Sequence, residues 1–286
     1  MSDAPIGKYS VLATLGQGAH STILHIRRAA DAKQYALKVV PIANKDELKF
    51  LEQAQFEFKV ARMLDHPNLL KVHALETESD WLFRVRKAHL LLEYVNGTTL
   101  DKAPELRLPQ LVQVFVRAAA GLVHMHKKGV FHADLKPNNL MLSRTGDVKI
   151  IDYGLAWIKG QSKNRIQGTP EYMAPETAKN KQVNERTDIY NLGATMYRLL
   201  TDELPPAVFA PGGALPMDGV TFLRLLKPVR ELKPKTPRVL ADLVERCISF
   251  EPGKRPERVS EVQGLLDRLA DELVKAPADK LEALEW

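Results

Sequence analysis

The sequence predicts an α+β fold in two parts: a small β-rich part, then a larger and mainly helical one, with a cleft between them. Three observations carry this expectation. Roughly the first 95 residues read as short apolar runs of strand length, with one helical pattern among them. After Asn96-Gly97 the apolar spacing becomes helical and mostly stays so. The 286 residues, 45% hydrophobic and 27% charged, can bury a sizeable core, which excludes a disordered or fibrous chain.

In chain order, residues 9–15 and 22–28 are apolar-rich strands around the turn Gly16-Gln17-Gly18. Residues 34–40 form a third strand, stopped by Pro41. Residues 45–64 carry apolar positions at helical spacing and end before His66-Pro67-Asn68. Residues 69–76 and 88–95 are two further strands. Residues 109–128 predict a long helix with Gly129 as its C-terminal cap, followed by a β-rich stretch over 130–151. Residues 185–201 predict a buried apolar helix. The four prolines and two glycines of residues 205–216 demand a loop. From Pro237 onward, two or three amphipathic helices are expected, and there is no internal repeat.

The net charge of +6 comes from 41 Lys plus Arg against 35 Asp plus Glu, interleaved along most of the chain. Two small clusters stand out, Arg84 with Arg86 and Lys87, and Lys159 with Lys163 and Arg165; both read as solvated faces. No basic stripe interleaved with aromatics occurs, so no nucleic-acid partner is expected. The one cysteine, Cys247, excludes an internal disulfide and a cysteine-based zinc site, and points to a reducing compartment. No apolar run approaches the ~18 residues of a membrane span. The N-terminus lacks the apolar core of a secretory signal. A cytoplasmic location is expected.

The glycine turn joins two strands rather than opening a helix, which argues against a dinucleotide fold. Glycines there let the backbone lie close over something flat or anionic. Lys38 sits on the next strand and Glu57 in the middle of the following helix, a good way to hold one positive charge against phosphates. Further on comes His132-Ala133-Asp134-Leu135-Lys136-Pro137-Asn138-Asn139, with Asp152-Tyr153-Gly154 beginning 13 residues after Asn139. Asn139 and Asp152 offer oxygen ligands that suit magnesium, a hard cation.

With these motifs on view, the chain resembles the eukaryotic-like serine/threonine protein kinases, from about Tyr9 to about Leu269. Gly168-Thr169-Pro170-Glu171-Tyr172-Met173-Ala174-Pro175-Glu176 looks like that family's substrate loop, Asp188 begins its buried central helix, and Arg255 looks like the late arginine that pairs with Glu176. The resemblance implies the bilobal protein-kinase fold as one domain over 1–286, with an N-lobe at about 9–95, a C-lobe at about 96–275 and a short tail, 276–286. It implies ATP and magnesium as cofactors and a protein with a Ser or Thr acceptor as partner. By position, Lys38 held by Glu57 contacts the α- and β-phosphates, and Asp134, with Lys136 and Asn139 beside it, accepts or orients the acceptor proton. Asn139 and Asp152 hold the metal. The glycine loop covers the phosphates through Leu15, Gly16, Gln17, Gly18, Ala19, His20 and Ser21. Glu93 and Val95 form the hinge that meets adenine, Leu92 is the gatekeeper, and Ile23, Ala36 and Met141 sandwich the ring. Lys136 with Thr169 favours Ser/Thr over Tyr acceptors.

Three departures from the family pattern matter. Ser21 stands at the third loop glycine, Tyr153 adds a hydroxyl that needs a partner, and Ala133 replaces the arginine that usually pairs with a phosphorylated activation loop. The last predicts activity without activation-loop phosphorylation; between Asp152 and Glu176 only Ser162 and Thr169 carry hydroxyls of that kind. The alternative is a pseudokinase, a scaffold module that binds nucleotide without efficient turnover. His132 and Asp188 are expected to be structural, and Cys247 a small core residue.

Overall fold

A computed structural model describes residues 8–18, 20–161, 168–209 and 217–275. Ala19, Ser162, Lys163, Arg165, part of the expected 205–216 loop and the expected tail lie outside them. The chain divides into two units. The first takes in the described residues up to Asp65, then Leu69–Asn96 and Asp152–Gly154; the second holds His66–Asn68, Gly97–Ile151 and the described residues from Leu155 onward.

In the first unit, β1 (Tyr9–Gln17), β2 (Thr22–Arg28) and β3 (Gln34–Pro41) form an antiparallel run as expected. The helix expected from residue 45 is split. The Asn44 side chain accepts the N–H groups of Asp46 and Glu47, winding a tight 3-10 turn over Lys45–Glu47 before α1 (Leu48–Ala61) begins. Then come β4 (Val72–Ser79) and β5 (Val85–Glu93), giving the sheet order β1-β2-β3-β5-β4. Both strands start or end three residues from where their apolar runs place them. The ladder runs from Val72↔Leu92 to Ser79↔Val85, so polar Thr77, Glu78 and Ser79 are strand because β5 pairs with them. One sheet face buries Tyr9, Ile26, Tyr35, Leu37 and Leu91. The period of two puts Lys38 on the opposite face from Leu37.

The second unit is mainly helical. It begins with β6 (Gly97–Thr99), α2 (Leu108–Lys127) and β7 (Val130–Phe131), then β8 (Leu140–Ser143), β9 (Val148–Ile150) and β10 (Trp157–Ile158). Strands β6, β8 and β9 form one small sheet, and β7 pairs with β10. Helices α3 (Pro175–Asn180), α4 (Glu185–Thr201), α5 (Gly219–Leu225), α6 (Val229–Leu232), α7 (Arg238–Cys247) and α8 (Val259–Lys275) complete it. Gly129 ends α2 at φ +69°, with its N–H bonded to the His126 carbonyl, as a glycine C-terminal cap requires.

Helix α2 is long and apolar enough to cross a membrane by length and composition, although Gln110, Gln113 and Arg117 break it into shorter apolar runs, as the sequence shows. Half of it is buried against the unit's own elements, α8 and α4 among them, as a core helix would be. Helix α4 is buried nearly all round, with Ile189, Leu192 and Met196 fully covered. It can approach α7 because position 193 is glycine: a Cβ there would lie 2.6 Å from the Cys247 Cβ. Burial pushes the Cys247 thiol up to about 12, so it is an inert core group.

Candidate active site

The polar residues of the first unit converge on Lys38. From the middle of β3, its Nζ lies 2.7 Å from Glu57 Oε2 on α1 and 3.9 Å from Asp152 Oδ1. Glu57 is 4% exposed. Burial works against the Lys38 charge, but the Glu57 and Asp152 carboxylates outweigh it and hold the ammonium above its usual range. Burial also pushes the Glu57 carboxyl up, with Lys38 pulling it back. Asp152 takes φ +65° and accepts the Gly154 N–H at 3.0 Å, which aims its carboxylate; the side chain stays about half exposed.

Next to it, Tyr153 is 1% exposed and donates its hydroxyl to the Leu70 carbonyl at 3.0 Å. The extra hydroxyl thus has the partner its burial requires.

The glycine turn is a hairpin end closed by the Gly18 N–H on the Ser21 carbonyl at 2.7 Å. Gln17 pairs with Thr22, Gly16 with Ile23, and Leu15 is 47% exposed. His20 stacks on Phe50 of α1, ring centroids 3.9 Å apart. Ala36 pairs with Leu92 across β3 and β5, both buried; the Glu93 N–H bonds the Lys71 carbonyl, and Val95 follows β5. Met141 lies on β8 of the second unit, paired with Thr99.

The second unit gathers a different set around Asp134, which is 7% exposed. Its Oδ1 accepts the Thr169 N–H at 2.8 Å, and its Oδ2 lies 3.0 Å from Lys136 Nζ. The same ammonium donates to the Thr169 hydroxyl. Asn139 donates its amide to the Asp134 main-chain carbonyl at 2.8 Å, so the amide oxygen is the end left to accept. The Ile151 N–H bonds the Asn139 carbonyl at 2.9 Å, which pins the approach to Asp152. One lysine therefore spans the candidate base and the loop expected to meet the acceptor.

Asp188, at the start of α4 and fully buried, is structural as expected. Its carboxylate accepts the His132 N–H at 2.8 Å and the Ala133 N–H at 2.7 Å, and His126 Nε2 approaches at 2.7 Å. His126 Nδ1 lies 3.1 Å from Glu185. Ala133 takes φ +64° and packs with Phe131, Val183 and Trp157, an apolar cluster at the position where an arginine was missing. Glu176 and Arg255 pair two-pronged, both N–O distances 2.9 Å, and Arg255 also donates to the carbonyls of Ser249, Arg186 and Phe250.

His126 carries no sequence signal beyond its place in the last turn of α2, and sequence reasoning passes it over. Burial disfavours its charge, but the hydrogen bonds it donates to Asp188 and Glu185 outweigh that and raise it to about 9. Because the folded value lies above the unfolded one, its stabilisation is complete below pH 6.5 and lost as pH rises through 9. Burial works against the Asp188 charge too, but His126 holds that carboxyl below its usual value, so its contribution is lost only on acidification below 3.8. Urea unfolding is expected to show the wild type losing about 2 kcal/mol between pH 6.5 and 8.5, below the range where Cys247 contributes, with a nearly flat profile there in His126→Gln.

A family model for the protein kinase domain matches residues 9–266. The chain belongs to the protein kinase family. This kinase domain is similar to the probable serine/threonine-protein kinase SCO3848 of Streptomyces coelicolor, 27% identical over 86% of this chain and 41% of that protein. Serine/threonine-protein kinase PrkC of Bacillus subtilis is 23% identical, over 90% of this chain and 40% of its own. Tyrosine-protein kinase MasK of Myxococcus xanthus is 30% identical, over 88% and 41%. The kinase domain spans about two fifths of the length of these three relatives.

Proposed function

We propose that the chain is an active serine/threonine protein kinase, transferring the γ-phosphoryl group of ATP to Ser or Thr hydroxyls of proteins. The observation that carries this reading is Lys136, whose Nζ lies 3.0 Å from Asp134 Oδ2 while donating to the Thr169 hydroxyl. That contact ties the candidate base to the substrate loop. A cavity of about 490 Å³ in the second unit, lined in part by Pro137, Tyr172, Leu108 and Arg198, gives a peptide flanking the acceptor somewhere to sit.

Asp134 takes the acceptor proton as the hydroxyl oxygen forms its bond to phosphorus; the bond to the β-phosphate oxygen breaks, leaving ADP and a phosphoester. Lys136 holds Asp134 and Thr169 in register for that step. Lys38, kept charged and positioned by Glu57, binds the nucleotide's α- and β-phosphates. Residues 15–18, 20 and 21 cover the phosphates; Leu92, Glu93 and Val95 meet the adenine, and Ile23, Ala36 and Met141 contribute the apolar side chains against its ring. Asn139 and Asp152 fit magnesium by donor chemistry, an amide oxygen and a carboxylate. The bound ion would neutralise charge on the phosphates.

The enzyme also needs no activation-loop phosphate in this reading. The support is the Ala133 cluster: Phe131, Val183 and Trp157 fill with apolar contact what an arginine would leave as a cationic pocket. Ser162→Ala is expected to keep its transfer rate within about twofold of wild type; a near-complete loss would refute this point.

The test of the main reading is incubation with magnesium, labelled ATP and a peptide library, followed by phosphoamino-acid analysis. Phosphoserine and phosphothreonine are expected. Phosphotyrosine would move the enzyme to the acceptor class in the name of the Myxococcus relative. Nucleotide binding with no transfer would establish the pseudokinase alternative.

A further inference from the structure

The turn between β4 and β5 exposes three large apolar side chains in succession. Trp81 is 85% exposed, Leu82 43% and Phe83 91%. Water-exposed aromatics of this size are costly, and a contiguous apolar tip on an otherwise mixed surface marks a contact site. The tip is also built rather than slack. Asp80 Oδ1 accepts the N–H groups of Leu82 and Arg84 at 2.9 and 3.0 Å, and its Oδ2 accepts Arg86 Nε at 2.9 Å. The Phe83 N–H bonds the Asp80 carbonyl, and Phe83 itself sits at φ +60°, a conformation a bulky residue rarely takes unheld.

Behind the tip stand Arg84, Arg86 and Lys87. Arg86 pairs with Asp80 at 2.8 Å and Lys87 with Glu78 at 3.3 Å, whereas Arg84 has no ion pair among the described residues. The local surplus is one positive charge next to Trp, Leu and Phe.

We propose that this hairpin tip is a shallow membrane-interface anchor. Two considerations choose a lipid surface over a protein socket. Three side chains offer roughly 500 Å² of contact, short of the ~800 Å² per partner that a specific protein interface buries. Trp and Phe beside Arg is the side-chain combination that partitions to the headgroup boundary, where the aromatics insert ~5–10 Å and the guanidinium stays among phosphates. Because two of the three cations are already paired, attachment depends mainly on the apolar tip and only weakly on anionic lipid.

The test mixes the full chain with extruded vesicles, either pure phosphatidylcholine or a phosphatidylcholine–phosphatidylglycerol mixture, and measures co-sedimentation. Vesicles carrying brominated acyl chains report tryptophan insertion by quenching. The wild type is expected to sediment with both, with partition raised about fivefold by the anionic lipid through one cation. Trp81→Ser/Phe83→Ser is expected to lose at least about tenfold in partition and all bromolipid quenching. Arg84→Gln keeps binding to neutral vesicles and loses the anionic enhancement. Both variants change exposed side chains, and unchanged circular dichroism shows that they fold. A wild type left in the supernatant with both vesicle types overturns the proposal and leaves the tip to a protein partner. A double variant that sediments like the wild type overturns it as well.

Discussion

Asp134→Asn is expected to lower kcat by between about a hundredfold and ten-thousandfold, the range a positioned general base contributes. The substitution is close to isosteric. The replacement amide would still offer an oxygen to the Thr169 N–H, which lies 2.8 Å from Oδ1 of the native carboxylate. Its NH2 group would then face Lys136 in place of Oδ2, and it could not take the acceptor proton. The affinity for ATP should change little, because in this reading the nucleotide is bound by Lys38 and the glycine loop. Steady-state transfer to a peptide, beside calorimetric titration with nucleotide, separates the two quantities. A variant as fast as the wild type would remove Asp134 from the mechanism.

Arg255→Met is expected to destabilise the protein by about 3–5 kcal/mol, because it strands the Glu176 carboxylate. Arg255 has a side chain with no exposed surface, and Glu176 only 5%. Burying one charge without its partner costs far more than the pair contributes when intact. Removing both charges in Glu176→Leu/Arg255→Met should recover only part of the loss. Arg255 also serves the carbonyls of Ser249, Arg186 and Phe250, and Thr187 donates to Glu176, so the double variant loses these hydrogen bonds as well. Chemical unfolding of the three proteins checks the order: wild type most stable, double variant between, Arg255→Met least.

Elements whose cause is local were legible along the chain. The strand around Lys38 and the helix around Glu57 follow from apolar spacing, and the cap at Gly129 from a residue able to take positive φ. The ends of β4 and β5 were not, since Thr77, Glu78 and Ser79 become strand only through pairing with β5. The 3-10 turn ahead of α1 depends on one asparagine side chain, a competition that spacing does not register.

The spacing of Lys38, Glu57, Asp134, Asn139 and Asp152 was enough to place the chain in its family, because phosphate chemistry calls for particular groups in a particular order. Packing alone decided how those groups are held. Asp188 reaches Ala133 across 55 positions, and Arg255 reaches Glu176 across 79. No periodicity encodes a contact at that distance. It exists because a buried charge must find its counter-charge wherever the fold brings one, and for the same reason His126, silent in the sequence, helps hold the Asp188 carboxyl below its usual range beneath His132 and Ala133.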